Sequence, residues 1–332
     1  CDVVSAKELW QRILEMRMQT GEPYLHFIDK SNAEMPSWLK QRDLKINQSN
    51  LCSEIILPTS VDRTAVCCLS SVNLEYFDEW SKDDNFIQDL ITMLDNIIQH
   101  YIDNAIDTTQ LGEYNANFKR FQNYVKEGKE GFTKSAYSAY RERSLGLGAM
   151  GFHAYLQRRN IPFEGIYASG FNYKAFTYIK LKATEATKEL AIERGEAPDI
   201  HGSGKRNANL LAIAPNASSG IICSGTSPSI EPYRANCYTH KTLSGSFNVR
   251  NRYLEEILES HGKNDDETWS TITTNQGSVS HLDFLSDLEK DVFKTAFELD
   301  QRWLIDLSAD RTPYISQAQS LNIFLPNLAI SS

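Results

Sequence analysis

The chain has 332 residues, of which 41% are hydrophobic, 11% aromatic and 23% charged; such a composition supports a packed core and excludes a disordered polypeptide. A formal charge of −9 excludes a broad basic face of the kind that coats nucleic acid, yet leaves room for a local site that takes a small anion. No run of 18 apolar residues, no secretory leader and no regular spacing among six cysteines point instead to a cytoplasmic protein, with no membrane and no direct nucleic-acid partner, whose thiols serve chemistry rather than crosslinking.

The first residue is Cys1, which leaves two readings open: a splice junction behind an intein, or a truncation. Residues Ala6 to Arg17 repeat apolar groups at helical spacing, and Thr20-Gly21-Glu22-Pro23 stops them; Tyr24 to Ile28 then reads as a short buried strand. Extended segments are expected from Ser49 to Leu57 and from Thr64 to Leu69. Phe86 to Tyr101 is a strongly amphipathic helix, with Ile87, Leu90, Ile91, Leu94, Ile97 and Ile98 on one side. Asp107 to Thr133 is weakly patterned and reads as an inserted loop or small helix. Helices follow from Arg143 to Arg159 and from Tyr173 to Arg194, the latter stopped by Gly195 and Pro198. Asn209 to Ala214 is a buried strand, Ile221 to Cys223 another extended piece, Leu282 to Leu307 mostly helical, and Ser320 to Pro326 a closing strand. Apolar strands alternating with long helices imply a mainly parallel sheet or barrel.

The segment Ser49-Asn50-Leu51-Cys52-Ser53-Glu54-Ile55 carries the most chemistry. If extended, it projects Asn50, Cys52 and Glu54 on one face: an amide, a thiol and a carboxylate in a row. A neighbouring carboxylate raises a thiol's pKa, so a thiolate nucleophile fits badly; a thiol that transfers a hydrogen atom need not ionise. Spacing alone leaves open an ordinary half-buried strand. Fifteen residues on, Ala65-Val66-Cys67-Cys68-Leu69 places two thiols on opposite faces of an extended segment, so that only one can share a site with Cys52. Small buried hydrophobes remain the alternative for both. The turn Ala214-Pro215-Asn216-Ala217-Ser218-Ser219-Gly220 follows a strand and could present backbone N–H groups to phosphate, or be a plain turn.

"SNLCSEI" and "TAVCCLSSVNL", with "AYRERSLGLGAMGFHAYLQ", "NLLAIAPNASSGIICSGTSPSIEPYRANCYTHKTLSGSF" and "TPYISQAQSLNIFLP", resemble the catalytic large subunit of ribonucleotide reductases, in that family's order. The resemblance implies a ten-stranded α/β barrel, of which residues 1–332 would be a partial catalytic domain: the second half plus the central cysteine loop. An N-terminal allosteric region and an extreme C-terminal tail would lie outside it, and Asn327 to Ser332 depart from the family's continuation. By resemblance Cys52 is the thiyl radical that takes the ribose 3'-hydrogen, Glu54 the base for the 3'-hydroxyl proton, and Asn50 the residue that binds substrate and orients the carboxylate. Cys67 is the second member of the reducing pair, whose first member precedes Cys1; Cys223 and Cys237 are structural. Asn50, Leu51, Cys52, Ser53 and Glu54 would contact the substrate, and Pro215, Asn216, Ala217, Ser218 and Ser219 would grip its diphosphate, with Ala217 standing where some members carry an acidic residue.

The same resemblance implies a ribonucleoside di- or triphosphate substrate and no metal or cofactor bound in this segment. The radical would come from a metal-containing small subunit or, alternatively, from adenosylcobalamin. Thioredoxin or glutaredoxin would be the reductant, ATP and dNTP effectors would act on the N-terminal region, and the complete enzyme would be a homodimer. A catalytically incomplete piece with an assembly role is the competing class; another radical enzyme on this barrel would need a glycyl-radical motif, which the chain lacks. Gly146-Leu147-Gly148-Ala149-Met150-Gly151 satisfies G-x-G-x-x-G but follows the charged Arg141-Glu142-Arg143, so it reads as close helix packing rather than a dinucleotide site. No C-x-x-C and no paired histidine spacing suggests a metal site.

Overall fold

The computed structural model describes residues 3–104, 131–242 and 245–325, and only the backbone at 131–133, 240–242 and 247. Cys1, most of the 107–133 insertion and Pro326 to Ser332 lie outside the described residues.

Helix α1 (Ala6–Thr20) begins where Ser5 accepts a hydrogen bond from the Glu8 N–H and ends where Gly21 turns left-handed at φ 80°. It buries no residue against the described chain, and Leu9, Trp10 and Met18 stay exposed. The strand expected at Tyr24 to Ile28 does not form. No neighbouring strand among the described residues offers a ladder, Phe27 is exposed, and Ile28 instead opens α2 (Ile28–Glu34), followed by α3 (Ser37–Lys40).

The core is a run of parallel extended segments. Strand β1 (Leu69–Asn73) pairs in parallel with β2 (Gly146–Met150), from Leu69 opposite Gly146 to Asn73 opposite Met150. Leu147 bridges Leu211, and Ile213 bridges Gln319, both in parallel. The Ile213 N–H donates to Ala318 O at 3.0 Å and the Ser320 N–H to Ile213 O at 2.8 Å, so the order is β1, β2, residues 209–213, residues 317–320. The expected strand at Asn209 to Ala214 is therefore present as a buried bridging segment. The one expected from Ser320 to Pro326 does not form among its described residues: pairing stops at its first residue, Ser320, and Ile323 and Leu325 are exposed.

Strand β2 corrects the helix expected from Arg143 to Arg159. Its five residues are wholly buried, and the helix is confined to α7 (Phe152–Arg158) after Gly151 at φ 78°. Glycine is required for proximity here: a Cβ on Gly146 would lie 2.5 Å from Leu69 Cδ2, and one on Gly148 2.5 Å from Ala212 O. The G-x-G spacing thus serves close strand packing rather than helix packing.

After β1 come a short turn of helix α4 (Phe77–Trp80) and the helix α5 (Phe86–Asn104), whose Ile87, Ile91, Leu94, Ile98 and Ile102 form the main core with α8 (Ile166–Arg194) and the sheet. Helix α6 (Gly131–Glu142) precedes β2. Between α5 and the sheet edge, the fully buried Asp95 accepts from Arg143 Nε at 2.8 Å and Asn207 Nδ2 at 3.0 Å, with Arg194 and Arg206 each 3.3 Å away.

Beyond the short helix α9 (Ala217–Ile222), an antiparallel hairpin of β3 (Cys237–Thr242) and β4 (Gly245–Arg250) leads into α10 (Arg252–Ser260) and α11 (Asp266–Thr274). Tyr253, Leu254, Leu258, Trp269, Ile272 and Phe293 give this region a core of its own. The helix expected from Leu282 to Leu307 is two pieces, α12 (Asp287–Val292) and α13 (Gln301–Arg311). A Ser286–Glu289 capping box starts the first and an Asp300 cap the second, and these local signals outweigh the continuous apolar spacing.

Candidate functional site

The expected extended strand through Cys52 is a tight turn. The Ser53 N–H donates to Asn50 O at 3.1 Å, the Asn50 N–H to Ile55 O at 3.1 Å, and Ser53 takes the left-handed backbone, φ 71°. Alternation along a strand is therefore not what assembles the triad. Asn50 does so by folding back: its Nδ2 donates to Glu54 Oε1 at 2.9 Å, and its Oδ1 accepts from the Ile55 N–H at 3.1 Å. Leu51 stands at the tip, 85% exposed, while Cys52 and Ser53 are half-buried.

Glu54 is 1% exposed, and its Oε2 has no hydrogen-bond partner among the described residues. A buried carboxylate oxygen without a donor is costly unless a ligand completes it. Desolvation, and then the Glu54 carboxylate, push the Cys52 thiol above its usual range, which keeps it as S–H at neutral pH. Both effects disfavour thiolate attack by Cys52.

Cys67 and Cys68 differ in burial: Cys68 is buried, with its Sγ 3.5 Å from Leu94 O on α5, whereas Cys67 is exposed. Although Cys67 keeps an opening to solvent, the protein packed behind it raises its thiol to about 11, with further contributions from Glu54 and then Cys52. Those contributions put Cys52, Glu54 and Cys67 in one electrostatic neighbourhood. Cys68, also raised to about 11 by burial and then by Cys67 and Asp95, belongs to the core side.

The turn is seated on the sheet by apolar and polar contacts. Ile55 and Leu57 pack with Ala212, and Ala65 and Leu69 lie against them. The Ala318 N–H donates to Glu54 O at 2.9 Å, and the Ile56 N–H to Gln317 Oε1 at 3.3 Å. Sequence reasoning missed Gln317 and Ala318; the glutamines alternating with small residues in Ser316-Gln317-Ala318-Gln319-Ser320 were the available signal.

At the carboxyl end of the third extended segment, Pro215 is exposed and Asn216 half-buried, and α9 starts at Ala217. Ile221 and Ile222 are the end of this helix, not an extended piece. Ala217, Ser218 and Ser219 are exposed in its first turn, where backbone N–H groups lack intrahelical partners. Ser71 on β1 donates to Asn216 Oδ1 at 3.2 Å. Strand β1 thereby links the two halves of the site: four residues of extended chain separate Cys67 from Ser71, roughly 13 Å at a strand rise of ~3.3 Å. Among the described residues, no three His, Cys, Asp or Glu side chains are grouped to hold a metal ion.

A parallel α/β sheet carrying a thiol–carboxylate turn on one flank and a turn of small, exposed polar residues at its carboxyl end defines a thiol-bearing piece of an α/β barrel. The chain belongs to the ribonucleotide reductase barrel-domain family, whose model matches residues 1–203 and 197–331. A relative from Frog virus 3 is 49% identical over 323 residues, covering 97% of this chain and 53% of its own length. The ribonucleoside-diphosphate reductase large subunit of Invertebrate iridescent virus 3 is 43% identical over 326 residues, with 97% and 48% covered. The solved class Id ribonucleotide reductase alpha subunit of Actinobacillus ureae superposes with a TM-score of 0.82 at 37% identity, over 96% of this chain and 55% of that one. The chain thus spans about half the length of the relatives it matches. Among the described residues no helix is long and apolar enough to cross a membrane.

Proposed function

We propose that this chain, within a complete large subunit, reduces ribonucleotides to 2'-deoxyribonucleotides by thiyl-radical chemistry. The observation that carries the reading is the Asn50–Glu54 hydrogen bond at 2.9 Å, closed around the Cys52 turn and leaving Glu54 Oε2 unpartnered. In this role Cys52, as a thiyl, takes the ribose 3'-hydrogen and Glu54 takes the 3'-hydroxyl proton. The 2'-hydroxyl leaves as water with a proton from the reducing pair; Cys67 and a second thiol outside this chain supply two electrons and two protons and end as a disulfide, and the Cys52 S–H returns the hydrogen to C3', which regenerates the thiyl. The raised pKa of Cys67 suits a thiol held reduced and protonated until that step. The exposed first turn of α9 and the Pro215–Ser219 segment would take the diphosphate through backbone N–H groups.

Relatives named large subunit imply a small, radical-generating subunit as partner, in preference to adenosylcobalamin, and a thioredoxin-type reductant. The nucleotide effectors and the homodimer expected from the resemblance belong to the longer protein. The test is turnover of the full-length enzyme carrying Cys52→Ser. Near-total loss of deoxynucleotide is expected; normal turnover would remove the reading altogether. In parallel, Cys67→Ser is expected to lose multiple turnover with a thiol reductant, and an unchanged rate would shift the reducing role to another cysteine.

A further inference from the structure

Cys52 and Glu54 sit on a segment with no strand ladder of its own: residues 54–59 form neither strand nor helix. Such a segment needs an outside brace if a sulfur and a carboxylate are to hold their places against one sugar. Gln317 and Ala318 supply it. Gln317 is 8% exposed, and its side chain spans two neighbours. Its Nε2 donates to Leu145 O at 2.9 Å, at the entrance of β2, and its Oε1 accepts from the Ile56 N–H at 3.3 Å. Its own N–H donates to Leu211 O at 3.1 Å, while Ala318 donates to Glu54 O at 2.9 Å and accepts from the Ile213 N–H at 3.0 Å. One dipeptide therefore joins the cysteine turn, the β2 entrance and the segment leading to the Pro215 turn.

We infer that Gln317 is a positioning residue: its amide spans Leu145 and Ile56 and so fixes the Cys52–Glu54 turn against the sheet that carries the anion-accepting Pro215 turn. The inference rests on the reductase reading above. Gln317 touches neither thiol nor carboxylate, so it acts through the backbone at Glu54 to Ile56. The diphosphate is held at the other end of the sheet, so most of the substrate affinity is left alone, whereas the approach of Cys52 to the ribose is not.

The experiment compares Gln317→Ala, which loses both bonds, and Gln317→Glu, which keeps an acceptor for the Ile56 N–H but no longer donates to Leu145, in the full-length reductase with its radical source. Since a displacement of about 1 Å can lower a rate by ~100-fold, kcat should fall roughly 10- to 100-fold in Gln317→Ala and less in Gln317→Glu. KM for the ribonucleotide should stay within about twofold of wild type, since binding and chemistry draw on different interactions. The deuterium isotope effect with 3'-deuterated substrate should rise, because hydrogen transfer becomes the slow step. Single-turnover product formed by the pre-reduced enzyme gives the active fraction and separates misplacement from misfolding. A kcat per active site equal to wild type in either variant overturns the inference, as does a loss that matches the fall in active fraction. Cys52→Ser, assayed alongside, separates the two levels: activity there defeats the reductase reading, whereas an inert Cys52→Ser with a normal Gln317→Ala defeats the brace alone.

Discussion

Two buried carboxylates, Asp95 and Glu54, are almost equally hidden, at 0% and 1% exposure, and are treated in opposite ways. Asp95 lies in a frame of Arg143, Arg194, Arg206 and Asn207, and each oxygen has partners. Burial alone would raise its pKa, but the Arg143 bond and charge, then Arg206 and Asn207, hold it below the usual carboxylate range. Glu54 has one amide on one oxygen and nothing on the other. A protein that can surround one carboxylate with three guanidinium groups has left the other underfurnished, on the turn that carries Cys52. The contrast separates a carboxylate whose partners are complete on folding from one left with an open oxygen beside Cys52, which is what the proposed base for the 3'-hydroxyl would need.

The sharpest way to break this contrast is Glu54→Gln. The change keeps an acceptor for Asn50 Nδ2 and removes the base, so turnover of the full enzyme should fall by ~10²- to 10⁴-fold, the usual worth of a positioned general base. Stability to urea should hold or rise, because a buried carboxylate with an unpartnered oxygen has gone. A Glu54→Gln protein that is markedly less stable would place Glu54 in the same category as Asp95.

Asp95→Ala should do the reverse. Stripping one partner from a buried ionic cluster costs about 3–5 kcal/mol, so the urea midpoint should drop sharply. The pH dependence carries the same sign. Because the folded pKa of Asp95 lies below its ordinary value of 3.8, its contribution is complete above that pH and is lost as pH falls through the lowered value. Wild-type stability should therefore decline on acidification below about pH 4, and Asp95→Ala should show less of that decline. An acid limb identical in both proteins would show that other groups govern it.

What could be read in the sequence divides along similar lines. The apolar stripe of α5 follows from simple periodicity and the structure shows it, except that Ile97 is exposed, and Cys67 and Cys68 differ in burial as neighbours on an extended segment would. The grouping of Asn50, Cys52 and Glu54 was anticipated, but for a different geometric reason. Ser53 adopts a left-handed backbone, and no side-chain pattern announces that choice in a non-glycine residue. Strand β2 was hidden because Gly146 to Met150 has no alternation: all five positions are buried, and a fully buried strand resembles a buried helix in an apolar profile. Gln317 was invisible for the opposite reason. Its importance lies in two backbone groups contributed by segments 172 and 261 residues away in sequence.

Glu142 sharpens the comparison by lying between the two extremes. It is 2% exposed and accepts from Ser144 Oγ at 3.1 Å, with Arg63 Nη1 at the looser distance of 3.9 Å. Burial raises its pKa to about 7; Arg63 and the Ser144 bond pull it down, and Asp199 pushes it up. A folded pKa above the ordinary 4.5 reverses the sign found for Asp95: the contribution is full below 4.5 and is lost as pH rises through about 7. Arg63 keeps its ion pair with Asp199 if Glu142 is neutralised, so Glu142→Gln removes a poorly compensated charge without stranding the arginine. The variant should be more stable than wild type at pH 8.5, by on the order of 1–3 kcal/mol, and nearly indistinguishable from it at pH 4.5. Urea unfolding at the two pH values measures the difference directly. Equal destabilisation at both would mean that Arg63 compensates Glu142 as fully as the arginine frame compensates Asp95.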